Sequence, residues 1–450
     1  MLRITYYVIL LVSLFLTGCS ATTAFRSYPD VVNPTIIEIR AGKNVDINSV
    51  FVGGVNSNDK ILYLMERGRL AQFQGNFEAS KRDFDDAIAA IKTNDQKAIF
   101  SLSGAVAQGS SAIVNDNTIP YVGDGYERVM LHHYQALNYL ASGDLEGAAV
   151  EARISNAEQD ESLDRHQKEI GRAEQLASEN RVSSNSSEVE EIYGRMDKII
   201  GGVKNSFQNA YSFYLSGVLY EMQGQFEDAK IDYKKALEIY PDNVYLKKDV
   251  SRLSAMFSSN DTEIIVFFDQ GLVEAKQEQQ IPIPVPVRRD FTLMAVAFPF
   301  YEPLQIEPEI LNISDGDKTL GTTSVICDFN VLAMKALKEK IPSLVTHQVI
   351  RAIAKYTMAH QAEQRMGFLG SLGAAIYNLA SERADTRSWL TLPANAQIFR
   401  GTIAPGEHTL NFSVDGAQAS LKVDIVEKSK NIVYVIKMGN RLEVKILNSK

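Results

Sequence analysis

Apolar positions recur at helical spacing along three stretches of the chain, residues 61–92, 129–153 and 211–243. Each reads as two helices joined at a turn glycine: Gly75, Gly143 or Gly224. In the last stretch, small residues at Gly217 and Ala229 let the two helices approach. Tyr220, Phe226 and Tyr233 fill the remaining gaps, and Pro241 stops the second helix. Residues 161–200 interrupt this array with a heavily charged run, expected as two helices about a soft RVSSNSSE loop that projects into solvent. Past residue 260 the period changes. Residues 262–273, 291–301 and 322–331 are strand-like, with a turn over Ser314, Asp315, Gly316 and Asp317. IPIPVPVRR (281–289) alternates Pro with Ile and Val, and its missing amide donors exclude a central strand. That leaves an edge strand or a polyproline segment, serving the fold or docking a partner. A helix begins near Phe329. Another follows over residues 343–364, capped by Ser343 after Pro342, with Val345, Val349, Ile353 and Tyr356 as its apolar stripe. MGFLGSLGAAIYNLA (366–380) is rich in small residues and suits close packing on another helix or contact with a membrane. Strands return over residues 395–447.

Taking Ala210 as the first position, residues 211–243 resemble a tetratricopeptide repeat over its full 34-residue period. Gly217, Gly224, Phe226, Ala229, Tyr233, Ala236 and Pro241 fall where that pattern wants them, while Ser216 stands where a large apolar residue is usual. Weaker copies keep Gly68, Gly75, Phe77, Phe84 and Ala87, and then Ala136, Tyr139, Gly143, Leu145 and Ala148. The expected fold class is therefore α+β: a tetratricopeptide-like helical array, then a mixed β and helical region. The chain would end in a small β-sandwich-like module, since Ala404-Pro405-Gly406-Glu407-His408-Thr409-Leu410 resembles the turn and strand of such modules in envelope proteins. The repeat pattern implies a concave surface for extended peptides or partner helices.

The chain begins MLRITYYVILLVSLFLTGCS, with Arg3 before an apolar run too short to span a bilayer, which reads as a secretory signal. Its Leu-Thr-Gly-Cys ending resembles the lipobox of bacterial lipoproteins. That resemblance implies lipidation of Cys19, the palmitate-bearing anchor of the mature chain. Ser20 behind it suggests the outer membrane. The expected divisions are a signal peptide (1–18), an anchor and tether (19–58), the helical domain (59–258), the mixed region (259–393) and the β module (394–450). With Cys19 lipidated, Cys327 is the remaining cysteine and no internal disulfide forms. Packing alone must then hold the fold, which a 45% hydrophobic composition permits. A net charge of −9 argues against nucleic acid as a partner.

Templates for chemistry are missing. The sequence has no Gly-x-Ser-x-Gly elbow, His-Glu-x-x-His, phosphate loop or Cys-x-x-Cys pair, and it implies no cofactor and no metal. His132 and His133 are adjacent on one helix and point roughly 100° apart, which does not suit one metal. One should pack and the other face solvent. Cys327 continues an apolar run and should be buried. His347, Arg351 and Lys355 lie four apart and form a basic strip, either solvated or touching an acidic partner or lipid head group. Glu382, Arg383, Asp385, Arg387 and Trp389 form the densest polar constellation. It reads as an ion-paired junction between helices and β module, or as a glycan site in which Trp389 stacks on sugar.

Residues 115–153 and ERADTRSWLTLP (382–393) resemble a family of Gram-negative lipoproteins with a tetratricopeptide-like N-terminal half and a β-rich C-terminal half. The resemblance implies partners among envelope proteins, including components of peptidoglycan synthesis, and supplies no catalytic residue. The function expected is an outer-membrane-anchored, periplasm-facing binding scaffold. The alternative is a peptidoglycan-binding or peptidoglycan-modifying enzyme acting through the C-terminal half.

Overall fold

Gly68, Gly217 and Ala136 show how the helices pair. A methyl group added at Gly68 would sit 2.3 Å from the Phe84 ring, and one at Gly217 would sit 2.5 Å from the Tyr233 ring. Sixteen residues after Ala136 the matching position holds Ala152, so the hairpin that contains them keeps a methyl where its partner is small. All three pairs close the crossing of two antiparallel helices. The computed structural model describes residues 26–47, 51–103, 119–180, 182–183, 187–254, 261–287, 290–304, 306–366 and 383–447.

Helix α1 (Tyr28–Arg40) precedes the three hairpins. These are α2 (Lys60–Phe73) with α3 (Phe77–Ser103), α4 (Gly125–Ala141) with α5 (Leu145–Asn180), and α8 (Ala210–Met222) with α9 (Phe226–Ile239). Their turn glycines Gly75, Gly143 and Gly224 all have φ of 73–76°, where a side chain would be strained. Short helices α6 (Ser187–Tyr193) and α7 (Asp197–Ile200) lie between the second and third hairpins, and α10 (Val244–Ser254) follows the third.

The second half adds β1 (Glu263–Gln270), β2 (Gln277–Val287), β3 (Asp290–Phe300), β4 (Asn312–Asp315), β5 (Lys318–Thr322), β6 (Ser324–Asp328), α11 (Phe329–Met366), β7 (Asn395–Thr402), β8 (Gly406–Val414), β9 (Ala417–Ile425), β10 (Lys430–Met438) and β11 (Arg441–Ile446). One sheet runs in the order β11-β10-β1-β7-β6, with β1 and β10 parallel. A second sheet runs β5-β4-β8-β9, and β2 pairs only with β3. Strand β1 is buried along its whole length. Its alternate residues Phe267 and Asp269 meet Tyr211 of the helical array, and Glu263, on the same face by the two-residue period of a strand, holds Arg400 of β7.

The α+β class and the helical first half are as expected, and several local expectations are not. Residues 28–40 are not tether: Tyr28, Val32, Ile36 and Ile39 bury one face of α1 in the core. The charged run at 161–200 does not simply project, because Val189, Tyr193, Met196 and Ile200 are buried. The Tyr193 hydroxyl donates to the Pro299 carbonyl. Ser343 caps nothing, since α11 runs unbroken from Phe329 to Met366 with Pro342 inside it. The strands after residue 394 form no separate module: β7 and β10 flank β1, while β8 and β9 join β4 and β5. A continuous buried cluster runs from Tyr28 to Leu447. Cys19, Glu382 and residues 367–380 lie outside the described residues.

Candidate functional site

Helices α2, α4 and α8 are the first helices of the three hairpins, and nearly every residue of each is buried. Their own second helices cover one side. The other side, where an array of this kind has its groove, is filled by the chain's second half. Two carboxylates do much of the holding. Glu66 on α2 accepts from the backbone N–H groups of Leu390 (2.7 Å) and Thr391 (2.9 Å) and from the Tyr28 hydroxyl (3.0 Å). Glu127 on α4 accepts from the Trp389 N–H at 2.7 Å and from the Tyr121 hydroxyl. It also reaches back to the Asp124 N–H (2.7 Å) at the start of α4. Three successive amides, of Trp389, Leu390 and Thr391, therefore end on carboxylates from two repeat-like hairpins.

Burial pushes Glu66 up to about 7, against the pull of its donors. Burial also raises Glu127, with the nearby charge of Asp124 adding to it. Beside them, Arg69 reaches from α2 to Asp269 of β1 at 3.0 Å and to the Tyr434 hydroxyl at 2.7 Å. Its guanidinium lies 3.8 Å over the Tyr134 ring. Asp269 also accepts from the hydroxyls of Tyr211 (2.9 Å) and Tyr434 (2.6 Å). Arg400 of β7 makes a further crossing, to Glu221 of α8 at 2.8 Å and Glu263 of β1 at 2.6 Å.

The two sequence segments with the family resemblance meet here. Asp124 takes Lys276 at 3.4 Å and also Lys340. Burial works against its charge, and the two ammonium groups more than reverse that, so its carboxyl lies well below the usual range. Arg387 grips Asp385 through two nitrogens (2.9 and 2.7 Å) and reaches Asp59 at 2.8 Å and the Ile119 carbonyl at 2.9 Å. Burial opposes the charge of Asp385 and Arg387 restores it, holding the carboxyl low. Trp389 is fully buried, edge-on to Phe84 and Tyr134 at 6.0 and 5.9 Å. Asp385, Arg387 and Trp389 therefore form the ion-paired junction, and Trp389 has no exposed ring face for a sugar.

The other sequence candidates are placed as follows. His347 is exposed, but Arg351 and Lys355 are buried, so the three make no solvated strip. Spacing by four did not settle exposure there, because α11 packs on β2, β3 and α5 at once. Both members of the histidine pair are buried. His132 contacts Glu151 at 2.7 Å, and His133 stacks on Tyr211 at 4.4 Å. Burial, then the charge of Arg69, push His133 down to about 3, so it stays neutral. His408 bridges Asp315 (2.7 Å) and the Ala404 carbonyl (2.8 Å).

Cys327 is buried and free, and burial pushes its thiol up, away from a nucleophilic thiolate. It borders a cleft of about 540 Å³ between residues 199–205, the end of α9 and the start of α11. Asp328, also on that cleft, caps α11 by accepting from the Val331 N–H at 3.0 Å. Among the described residues no cluster of His, Cys, Asp and Glu has the arrangement of a metal site, and no helix is long and apolar enough to cross a membrane. The sequence reading missed Glu66, Arg69 and Asp269. Glu66, Arg69 and Gln72 are spaced three apart on one face of the helix, which was the available signal.

Fold and site together define a helical-repeat protein whose groove is filled by its own β-rich half. Residues 210–243 match the tetratricopeptide repeat family. Repeats of that family generally mediate binding to protein partners. No curated protein and no solved structure matches the chain.

Proposed function

We propose that this protein is a periplasm-facing scaffold, anchored to the outer membrane through Cys19, which holds protein partners in cell-envelope assembly or maintenance. The observation that carries the reading is the tetratricopeptide repeat at residues 210–243. The signal and lipobox pattern at the start supports the address. The partners in this reading are envelope proteins, components of peptidoglycan synthesis among them. The reading is of a binder rather than an enzyme. It is supported by the junction acids, which are engaged by cations, N–H groups or hydroxyls that hold the two halves together.

Mild crosslinking in cells, followed by capture of the chain and a glycan-hydrolysis assay on the same preparation, tests the reading. The expected result is specific envelope proteins and no turnover. Glycan turnover by the purified chain, lost in Asp385→Ala, would overturn it. The anchor has its own test, because Cys19→Ala should abolish labelling by a fatty-acid probe. Labelling as strong as in the natural chain would remove the lipid from the proposal.

A further inference from the structure

The hairpin β2–β3 is a two-stranded sheet with no third strand on either side among the described residues. Its two edges differ. Pro282, Pro284 and Pro286 of β2 pair with Ala295, Leu293 and Phe291 of β3, and Pro299 of β3 pairs with Glu278. All four prolines thus fall on the same alternate set of cross-strand pairs. A proline lacks the N–H a ladder needs, so this set is the one whose backbone groups point away from the partner strand. Two contacts on β3 agree. The carbonyls of Ala297 and Pro299, on the same set, accept from Gln348 at 3.4 Å and from Tyr193. The outer edge of β2 is therefore stripped of donors at three successive outward positions, whereas the outer edge of β3 keeps N–H and carbonyl groups at Leu293 and Ala295.

Side chains sharpen the difference. Ile281, Ile283, Val285 and Val296 are buried on the inner face, which fixes the hairpin to the body. On the outer face Pro282, Pro284 and Ala295 are exposed, and Leu293 is 73% exposed. This edge offers backbone pairing beside an apolar face, and the groove of the helical array is already filled.

From this we infer that β3 is a strand-addition site: an extended polypeptide segment with alternating apolar residues pairs with the outer edge at Leu293 and Ala295. The inference rests on the scaffold reading and names the chemistry of its partner. Backbone pairing supplies the attachment, and the apolar face of the hairpin selects alternate side chains of the added strand. The prolines of β2 direct addition to one edge and block open-ended pairing at the other.

The test uses the chain from Ser20 onward and an alternating threonine–valine peptide as long as β3. Hydrogen exchange should slow at the Leu293 and Ala295 amides when peptide is added. It should stay unchanged at Thr292 and Met294, which already face β2. Leu293→Pro removes one outward N–H without touching the β2 ladder, so it should keep the thermal midpoint and lose the peptide. Leu293→Thr keeps the N–H and should retain weakened binding. Unchanged exchange at Leu293 and Ala295 would overturn the inference. So would self-association of the chain, or binding to phosphatidylethanolamine vesicles, that Leu293→Pro abolishes, since the occupant would then be a second copy or a lipid surface. If Leu293→Pro still captures its crosslinked partners in full, the scaffold reading stands and strand addition falls.

Discussion

Glu66 sits where a carboxylate is hard to replace. Its oxygens receive two backbone N–H groups from a segment more than three hundred residues away, together with a phenol. Glu66→Gln keeps the shape but turns one acceptor into a donor that would face an amide N–H. Leaving a buried donor unmatched costs about 1–3 kcal/mol, which denaturant titration should detect. The carboxyl also titrates. Because burial raises it from 4.5 to about 7, the folded state holds its proton more tightly than the unfolded chain. The stabilisation from that proton is full below pH 4.5 and is lost as pH rises through 7. Natural chain and Glu66→Gln should therefore differ more in stability at pH 5 than at pH 8. An equal difference at both would show that this carboxyl does not titrate in that window. His133 has the opposite sign. With its folded value lowered to about 3 from 6.5, its neutral form stabilises the fold fully above pH 6.5. That contribution shrinks by up to about 1.4 kcal/mol per unit as pH falls from 6.5 towards 3. His133→Gln should flatten this part of the acid-unfolding profile. A profile as steep as the natural one would assign the acid sensitivity to other groups.

At the level of elements, the hairpins were the legible part. Their period repeats turn glycines and small residues at fixed steps, and the physical reason is local: two helices cross only where side chains leave room. The size matching at these crossings gives a direct expectation. Gly68→Ala pushes a methyl into the Phe84 ring and should cost about 1–3 kcal/mol. Phe84→Leu alone should also cost stability. Together they should cost less than the sum, and a double-mutant cycle showing strict additivity would mean the two positions do not share the contact.

Helix α1 escaped the reading because Pro34 and β-branched residues imitate an extended tether. Its buried Tyr28, Val32, Ile36 and Ile39 carried helical spacing all along, but packing from elsewhere in the chain had to decide it. The same holds for α11, where Pro342 lies inside a helix that neighbouring layers support. The proline spacing of residues 281–287 excluded a central strand correctly, because a missing N–H is a property of the residue itself, and the pairing with β3 decided for an edge strand over a polyproline segment. The junction could be read in part. Asp385 and Arg387 announced an ion pair by proximity, whereas Asp59 and Asp269 gave no local hint of partners so distant in sequence.

For the whole molecule, the question is whether the helical half and the β-rich half behave as one unit. Arg69 and Asp269 are each fully buried and meet across the boundary, with Tyr211 and Tyr434 completing the cluster. Phe267 packs on Tyr211 and Tyr214 in the same layer, and Trp389 is wedged between Phe84 and Tyr134. Separating the halves would expose this apolar layer and strand an arginine, an aspartate and the carboxylates of Glu66 and Glu127 without their partners. Neither half has a surface suited to independent life. The chain should therefore unfold in one cooperative transition, with helical and aromatic signals changing together. Arg69→Met tests the boundary directly. It leaves the Asp269 charge buried without its cation, an uncompensated state that costs about 3–5 kcal/mol. If the halves are one unit, this lowers the midpoint of the single transition and keeps it single. If they are independent, the helical signal should keep a second transition at its natural position, and that would break the account of the junction given by Glu66, Glu127 and Arg69.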